Sequence, residues 1–256
     1  MRIEAKSKGR ITIRDDQRVV LDHARLYGEN YSDRNLMQFA SIASRLEGCH
    51  FNNTSIQSAA FGSGREMSEF IDCIFNGARM NMGPGGFARF VRCSFRNVEI
   101  RNWICFAVEM VDCKFSGRLQ TAIFNGRVKE DMQAMAGRLY NEFYGNDFSE
   151  MELVDVTFRT GIDLTKQILP SGKNYLYLPD AITAVNRAKA QLIGWDDPQN
   201  RRIAMAFIKA LEYTLAGGQH QMLLRASDYS SLSTLPANAV DEIFALLKGD
   251  SIPTTP

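Results

Sequence analysis

The sequence has no apolar run near the roughly 18–20 residues that a membrane-spanning helix requires. Its first ten residues, Met1 to Arg10, contain no apolar core of a secretory signal. The expected compartment is therefore the cytoplasm. Charge of one sign is missing as well. Lys plus Arg number 30 against 29 Asp plus Glu, a formal net charge of +1. A generic nucleic-acid binder carries a basic excess and a protein imitating DNA an acidic one, so this balance argues against both. Histidine is scarce: His23, His50 and His220 have no spacing to a Cys or Ser that builds a nucleophile–base pair. The five cysteines are an odd number expected to stay reduced, which points to space-filling thiols, metal ligands or a nucleophile. What remains is an ordinary globular composition over 256 residues, 45% apolar and 23% charged, enough for one large domain or two modest ones.

An internal repeat organises the middle of the chain. In steps of five from Ser68, the third residue of each block is Phe70, Phe75, Met80, Gly85, Phe90, Phe95, Ile100, Cys105, Met110 and Phe115. Most are large and apolar. The first residues (Ser68, Cys73, Ala78, Gly83, Ala88, Cys93, Val98, Trp103, Val108, Cys113) are small or β-branched except Trp103. Neither a helix nor a strand has a period of five. Every fourth block repeats more closely: Cys73-Ile74-Phe75-Asn76-Gly77 returns as Cys93-Ser94-Phe95-Arg96-Asn97 and Cys113-Lys114-Phe115-Ser116-Gly117. The blocks end in Gly or Asn, which tolerate the left-handed backbone of a corner. Four five-residue sides then close one turn, and turns stack about 4.8 Å apart through backbone hydrogen bonds.

The outward positions agree with this register. Glu69, Arg89 and Glu109 form one column and Asp72, Arg92 and Asp112 another, and both alternate in sign. Ile71, Val91 and Val111 form an apolar column, which Val154 would continue. Upstream, the blocks starting at Ser44, Cys49, Thr54 and Ala59 add four sides, with a four-residue excess at Gly62-Ser63-Gly64-Arg65. Downstream, the blocks at Met151 and Val156 match those at Val108 and Cys113, an offset of 43 that implies 23 inserted residues. Val128, Met132, Met135 and Leu139 recur at helical spacing inside that insertion.

These blocks resemble the pentapeptide-repeat family over roughly residues 44 to 164, with Phe in place of Leu at most centres and Cys often at the small position. The resemblance implies a mainly β fold, a right-handed quadrilateral β-helix solenoid with an inserted helix and a C-terminal, mostly helical subdomain. The expected domains are an N-terminal cap over 1–43, the β-helix over 44–165 with a helical insertion at about 118–145, and the helical subdomain over 166–256. Within the cap, residues 10–22 read as a hairpin around Asp15-Asp16-Gln17, and Asp33 to Ser44 as a short helix. In the C-terminal part, Asp180 caps a helix from Ala181 to about Ile193. Asp197 and Pro198 start a second, which Gly217-Gly218 stops, and Pro236 to Lys248 makes a third.

Chemistry is sparse. The stacked Cys73, Cys93 and Cys113 form a line rather than a tetrahedron, so they read as buried filling, as does Cys105. Neither glycine loop, 62–65 or 83–86, is followed by Lys-Ser or Lys-Thr, which removes the P-loop reading. No catalytic residue, cofactor or metal is expected. Trp103 stands where its equivalents are small and Phe106 stands at an outward position. Either they lie in a bulged corner covered by the inserted helix or they are exposed anchors with a binding role. Arg79, Arg96 and Arg101 offer a polar rim, and Arg65 lies in a loop suited to contact. The family resemblance implies a non-catalytic, protein-binding scaffold, most concretely a bacterial immunity protein that neutralises a cognate toxin. It also admits, as a second reading, a DNA-mimicking protein that acts on topoisomerases, whose acidic rod Arg89 and Arg92 would interrupt. An enzyme with its site at the domain junction is a third reading, and self-association through the C-terminal helices a further option.

Overall fold

Residues 10–15, 17–232 and 237–249 are described in a computed structural model. The chain divides into two compact units, residues 1–157 with 165–170, and residues 158–164 with 171–256.

The first unit is a parallel β-solenoid of about 5 turns. Its register is the one the five-residue period dictates. Arg89 pairs with Glu69 on one side and Glu109 on the other, and Phe90 with Phe70 and Met110. Corners carry left-handed residues at five-residue intervals, as in Arg92, Asn97 and Asn102, or Asp112 and Gly117. The inward residues stack in file. Tyr31, Phe51, Phe75, Phe95, Phe115 and Phe148 lie face to face with centroids 4.6 to 4.9 Å apart. Such ring pairs add attraction beyond the apolar area they bury.

The charge columns close as ion pairs. Arg45–Glu69 is 2.9 Å, Arg89–Glu109 2.7 Å and Arg92–Asp72 2.7 Å. The cysteines form the expected single file, with Cys49 as a fourth member. Each Sγ of Cys73, Cys93 and Cys113 donates to a carbonyl of the turn below, from Leu46, Phe70 and Phe90. All five cysteines are free and buried. Burial pushes the Cys93 and Cys105 thiols well up, and a hydrogen bond with Cys73, with burial, does the same for Cys49. Thiolate is the reactive form. A thiol-disulfide dye should therefore leave Cys93 and Cys105 unmodified in the folded protein at pH 8 and label them rapidly once it is unfolded in guanidinium.

Three expectations are corrected here. First, the solenoid begins well before residue 44. Arg18–Asp22 lies parallel to Gln38–Ile42, and Arg25–Tyr27 parallel to Arg45–Glu47. The buried Leu21, Leu26, Tyr31 and Leu36 carry the same five-residue step. Asp33 to Ser44 is therefore strand and corner rather than helix, with strands at Asn35–Leu36 and Gln38–Ile42. The hairpin stands: Arg10–Asp15 pairs antiparallel with Arg18–Asp22. Second, the insertion is shorter. Phe143 pairs above Met110, 33 residues on rather than 20, and Phe148 stacks on Phe115. Thirteen residues are therefore inserted, and the blocks at Asn141 and Asn146, not Met151 and Val156, continue the turn. Lys114–Asn125 is strand, and the finger between Asn125 and Asn141 carries one short helix, α1 (Glu130–Ala136). Tyr144, not Val154, continues the apolar column above Val111. Third, only Val128 of the helical pattern is fully buried, packed with Phe87 and Ala107, while Met135 and Leu139 are exposed.

A buried ion network holds the finger. The Glu109 carboxylate, 4% exposed, lies 2.7 Å from Arg89 and 2.9 Å from Arg138 of the finger. Arg138 also donates to the Ala107 carbonyl and the Asn141 side chain, each at 3.0 Å. Asn141 ties back through its side-chain N–H to the Phe106 and Asn125 carbonyls.

The glycine loops are structural. A Cβ on Gly86 would lie 1.9 Å from the Gly62 carbonyl oxygen, and the Phe87 N–H donates to that same oxygen at 2.9 Å. Two backbones pass where no side chain fits. Gly86→Ala should therefore lower the thermal midpoint markedly, while the equally conservative Gly28→Ala, whose Cβ meets nothing within 4 Å, should lower it only by the cost of a left-handed alanine, about 1 kcal/mol.

The second unit is helical around a small two-stranded antiparallel sheet. The helices are α2 (Ala181–Leu192), α3 (Pro198–Ala216), α4 (Ala226–Leu232) and α5 (Ala237–Lys248). Asp180 and Asp197 cap α2 and α3, accepting from the Thr183 N–H at 3.1 Å and the Gln199 N–H at 2.8 Å. Pro236 lies outside the described residues. The two-stranded sheet, Tyr175–Leu178 against Met222–Arg225, and α4 were not expected. Leu176, Leu178, Met222 and Leu224 alternate inward onto Ala184, Ala188, Ile208 and Ile243. Among the described residues no helix is long and apolar enough to cross a membrane.

Candidate protein-docking face

The outward residues proposed for binding do not form one site. Trp103 is corrected outright: it is 1% exposed, inside the solenoid, with its ring 5.7 Å from Phe90 and 5.9 Å from Phe124. It neither caps a corner nor meets a partner. Its neighbours make room for it, because Trp103 pairs with Ala122, and the centre of its own block, Cys105, pairs with Gly85. The large residue has moved from the third position to the first. Phe39 with Ser41 shows the same exchange, with Phe39 buried and Ser41 small at the centre. Phe106 is half-buried, and its carbonyl accepts from Asn141. Arg65 is exposed on the loop between Gly62 and Met67. Arg96 is exposed on the cysteine side of the turn, where its N–H donates to the Asn76 side chain at 3.0 Å.

Arg79 and Arg101 are brought together. They lie on the next side, where Ser55–Ala60, Arg79–Met82 and the strands above them stack in parallel. Alternation along these strands places odd-numbered residues outward up to Arg101, and a one-residue register shift makes them even-numbered in the strand Lys114–Asn125 above. Ser55, Arg79, Glu99 and Arg118 form one outward column, and Asn81, Arg101 and Gln120 a second. The first column alternates in sign, with Arg79–Glu99 at 3.9 Å and Arg118–Glu152 at 3.6 Å. These pairs are long and solvated, so they stabilise little and leave the guanidiniums free to reorient. The second column is bound by amides: Asn102 donates to the Asn81 oxygen at 2.7 Å, and Asn81 to the Gln57 carbonyl at 3.2 Å.

Between the columns lies an open groove of about 250 Å³, lined by Gln57, Arg79, Asn81, Glu99 and Arg101 among others. Small-molecule pockets are usually larger, enclosed and mostly apolar. This one is small and open, and its lining carries both signs of charge. Arg101 has no ion-pair partner among the described residues and gives the groove its surplus positive charge. The sequence named both arginines. Glu99, Asn81 and Gln57 were missed, although the charge alternation used at Glu69, Arg89 and Glu109 applies equally to Arg79, Glu99 and Arg118.

Among the described residues, no group of three or more His, Cys, Asp or Glu side chains converges as metal ligands. No family model, no curated protein and no solved structure matches the chain.

Proposed function

We propose that this chain is a degenerate pentapeptide-repeat protein that works as a non-catalytic protein-binding scaffold, most concretely as an immunity protein for a cognate toxin. The observation that carries the reading is the groove between Arg79, Glu99 and Arg101. It presents both signs of charge and one unpaired arginine on strands fixed above and below by backbone hydrogen bonds. A surface held this way loses little conformational entropy on association, which favours tight inhibition. Arginine is also among the residue types that dominate binding energy at interfaces. The DNA-mimic alternative has less support, because the outward columns alternate in sign instead of forming an acidic rod.

The test is co-expression with the product of the adjacent gene, followed by purification of the complex and a growth-rescue assay. The expected result is a stoichiometric complex and rescue by the natural chain. Arg79→Glu with Arg101→Glu should weaken the complex at least about a hundredfold, chiefly through faster dissociation. The same pair should change folding stability by no more than about 0.5 kcal/mol, because both are solvent-facing. No complex and no rescue would remove the immunity reading.

A further inference from the structure

We infer that the second unit binds an extended, acidic and apolar peptide segment of a partner protein along the strand Tyr175–Leu178. This inference does not rest on the solenoid groove. Three observations meet at one place. A cleft of about 330 Å³ is lined at its base by Leu176, Leu178, Ala184 and Leu247, which belong to the core and show only their edges to it. Its rim carries Arg187 and Lys248. Arg187 uses its Nε and one terminal nitrogen on the Leu246 and Leu247 carbonyls, at 3.3 and 2.7 Å, which close the end of α5. Among the described residues its other terminal nitrogen has no partner, and neither does Lys248. The rim carboxylate, Asp180, accepts from the Thr183 N–H as the cap of α2, which keeps it ionised, so Arg187 and Lys248 outnumber it by one charge. The rim is therefore positive, and its complement is an acidic group.

The third observation is the open strand edge. Tyr175–Leu178 belongs to a sheet of only two strands. The Asn174 carbonyl accepts from the Ala226 N–H at 2.8 Å, while the Tyr175 N–H turns away to the Gly172 carbonyl at 3.1 Å. Inter-strand bonds thus fall on the even-numbered residues, and the N–H and C=O of Tyr177 point off the free edge. An incoming strand would pair there, set alternate apolar side chains onto Leu176 and Leu178, and carry a carboxylate to Arg187 and Lys248. Strand addition of this kind takes its affinity from the main chain and its specificity from pockets for alternate side chains. A free small carboxylate would use the cations but not the edge.

The full chain is titrated by fluorescence anisotropy with a fluorescein-labelled heptapeptide of alternating Leu and Glu, and with its Lys-for-Glu counterpart. The expected result is saturable binding of the acidic peptide alone, weakening as salt is raised. Lys248→Glu should weaken it at least about tenfold. Tyr177→Pro should abolish it while keeping the melting temperature, because proline there removes a donor that no neighbouring strand uses. Equal binding of both peptides, or of neither, overturns the proposal. So does displacement by hexanoate together with unchanged binding to Tyr177→Pro, which would assign the cleft to small carboxylates. Arg79→Glu with Arg101→Glu should leave this binding untouched, so failure here and failure of the solenoid groove are read separately.

Discussion

Phe95→Ala should cost about 3–5 kcal/mol of folding stability, as large a loss as a single ring truncation brings. Phe95 is fully buried and stacks on Phe75 at 4.6 Å and Phe115 at 4.9 Å, with Trp103 and Phe90 against its edges. Deleting the ring removes its apolar burial and two stacked contacts at once. The cavity cannot collapse readily, because backbone hydrogen bonds fix the spacing of the turns above and below. Phe95→Leu restores most of the volume and should recover more than half of the loss. Chemical denaturation followed by circular dichroism measures both. A loss below about 1 kcal/mol for the alanine variant would mean that the rings are not in file.

The second large effect is expected at Glu109. Glu109→Gln keeps the shape and removes the charge that Arg89 and Arg138 share. Breaking a buried pair from one side destabilises by about 3–5 kcal/mol, because a desolvated charge is left uncompensated. Arg138 is the more exposed to this penalty, with 19% of its side chain accessible against 29% for Arg89. Arg138→Met should lose a comparable amount. The double variant Glu109→Gln with Arg138→Met should be less destabilised than the sum of its parts, since it leaves no orphaned charge between them. Urea titration of the four proteins closes the cycle. Simple additivity would show that the two side chains act independently and that the finger is anchored elsewhere.

Much of the solenoid is legible in the sequence because its inward positions allow little choice. Phe75, Phe95 and Phe115 share one column, and a shifted register would turn all three outward. The charge columns add a check that does not depend on apolarity, since Arg89 between Glu69 and Glu109 makes sense only if turns of twenty residues stack. Legibility fails where volume is exchanged between positions. At Trp103 with Cys105, and at Phe39 with Ser41, the large residue moves from the third place to the first. A reading that fixes size to position then mistakes core for surface. It fails again where polar residues fill the blocks. Asn141 and Asn146 open two ordinary sides, but the helical spacing of Met132, Met135 and Leu139 draws the boundary of the insertion past them. The docking groove is half legible, through Arg79 and Arg101. The cleft of the second unit is not, because Lys248 lies far along the chain from Tyr177 and Arg187 and joins them only once α2 and α5 pack with the two-stranded sheet.

The finger between Asn125 and Asn141 shows what this architecture permits. Each coil leans only on the coil before and the coil after, so extra chain can leave at a bend and return to the same bend without disturbing distant layers. A globular core, where most side chains touch partners remote in sequence, resists such grafting. Here the toll is local: one salt-linked foot, Glu109 with Arg138, and one asparagine clasp. New loops, and with them new specificities, can be spliced onto the same shaft while its axis stays unchanged.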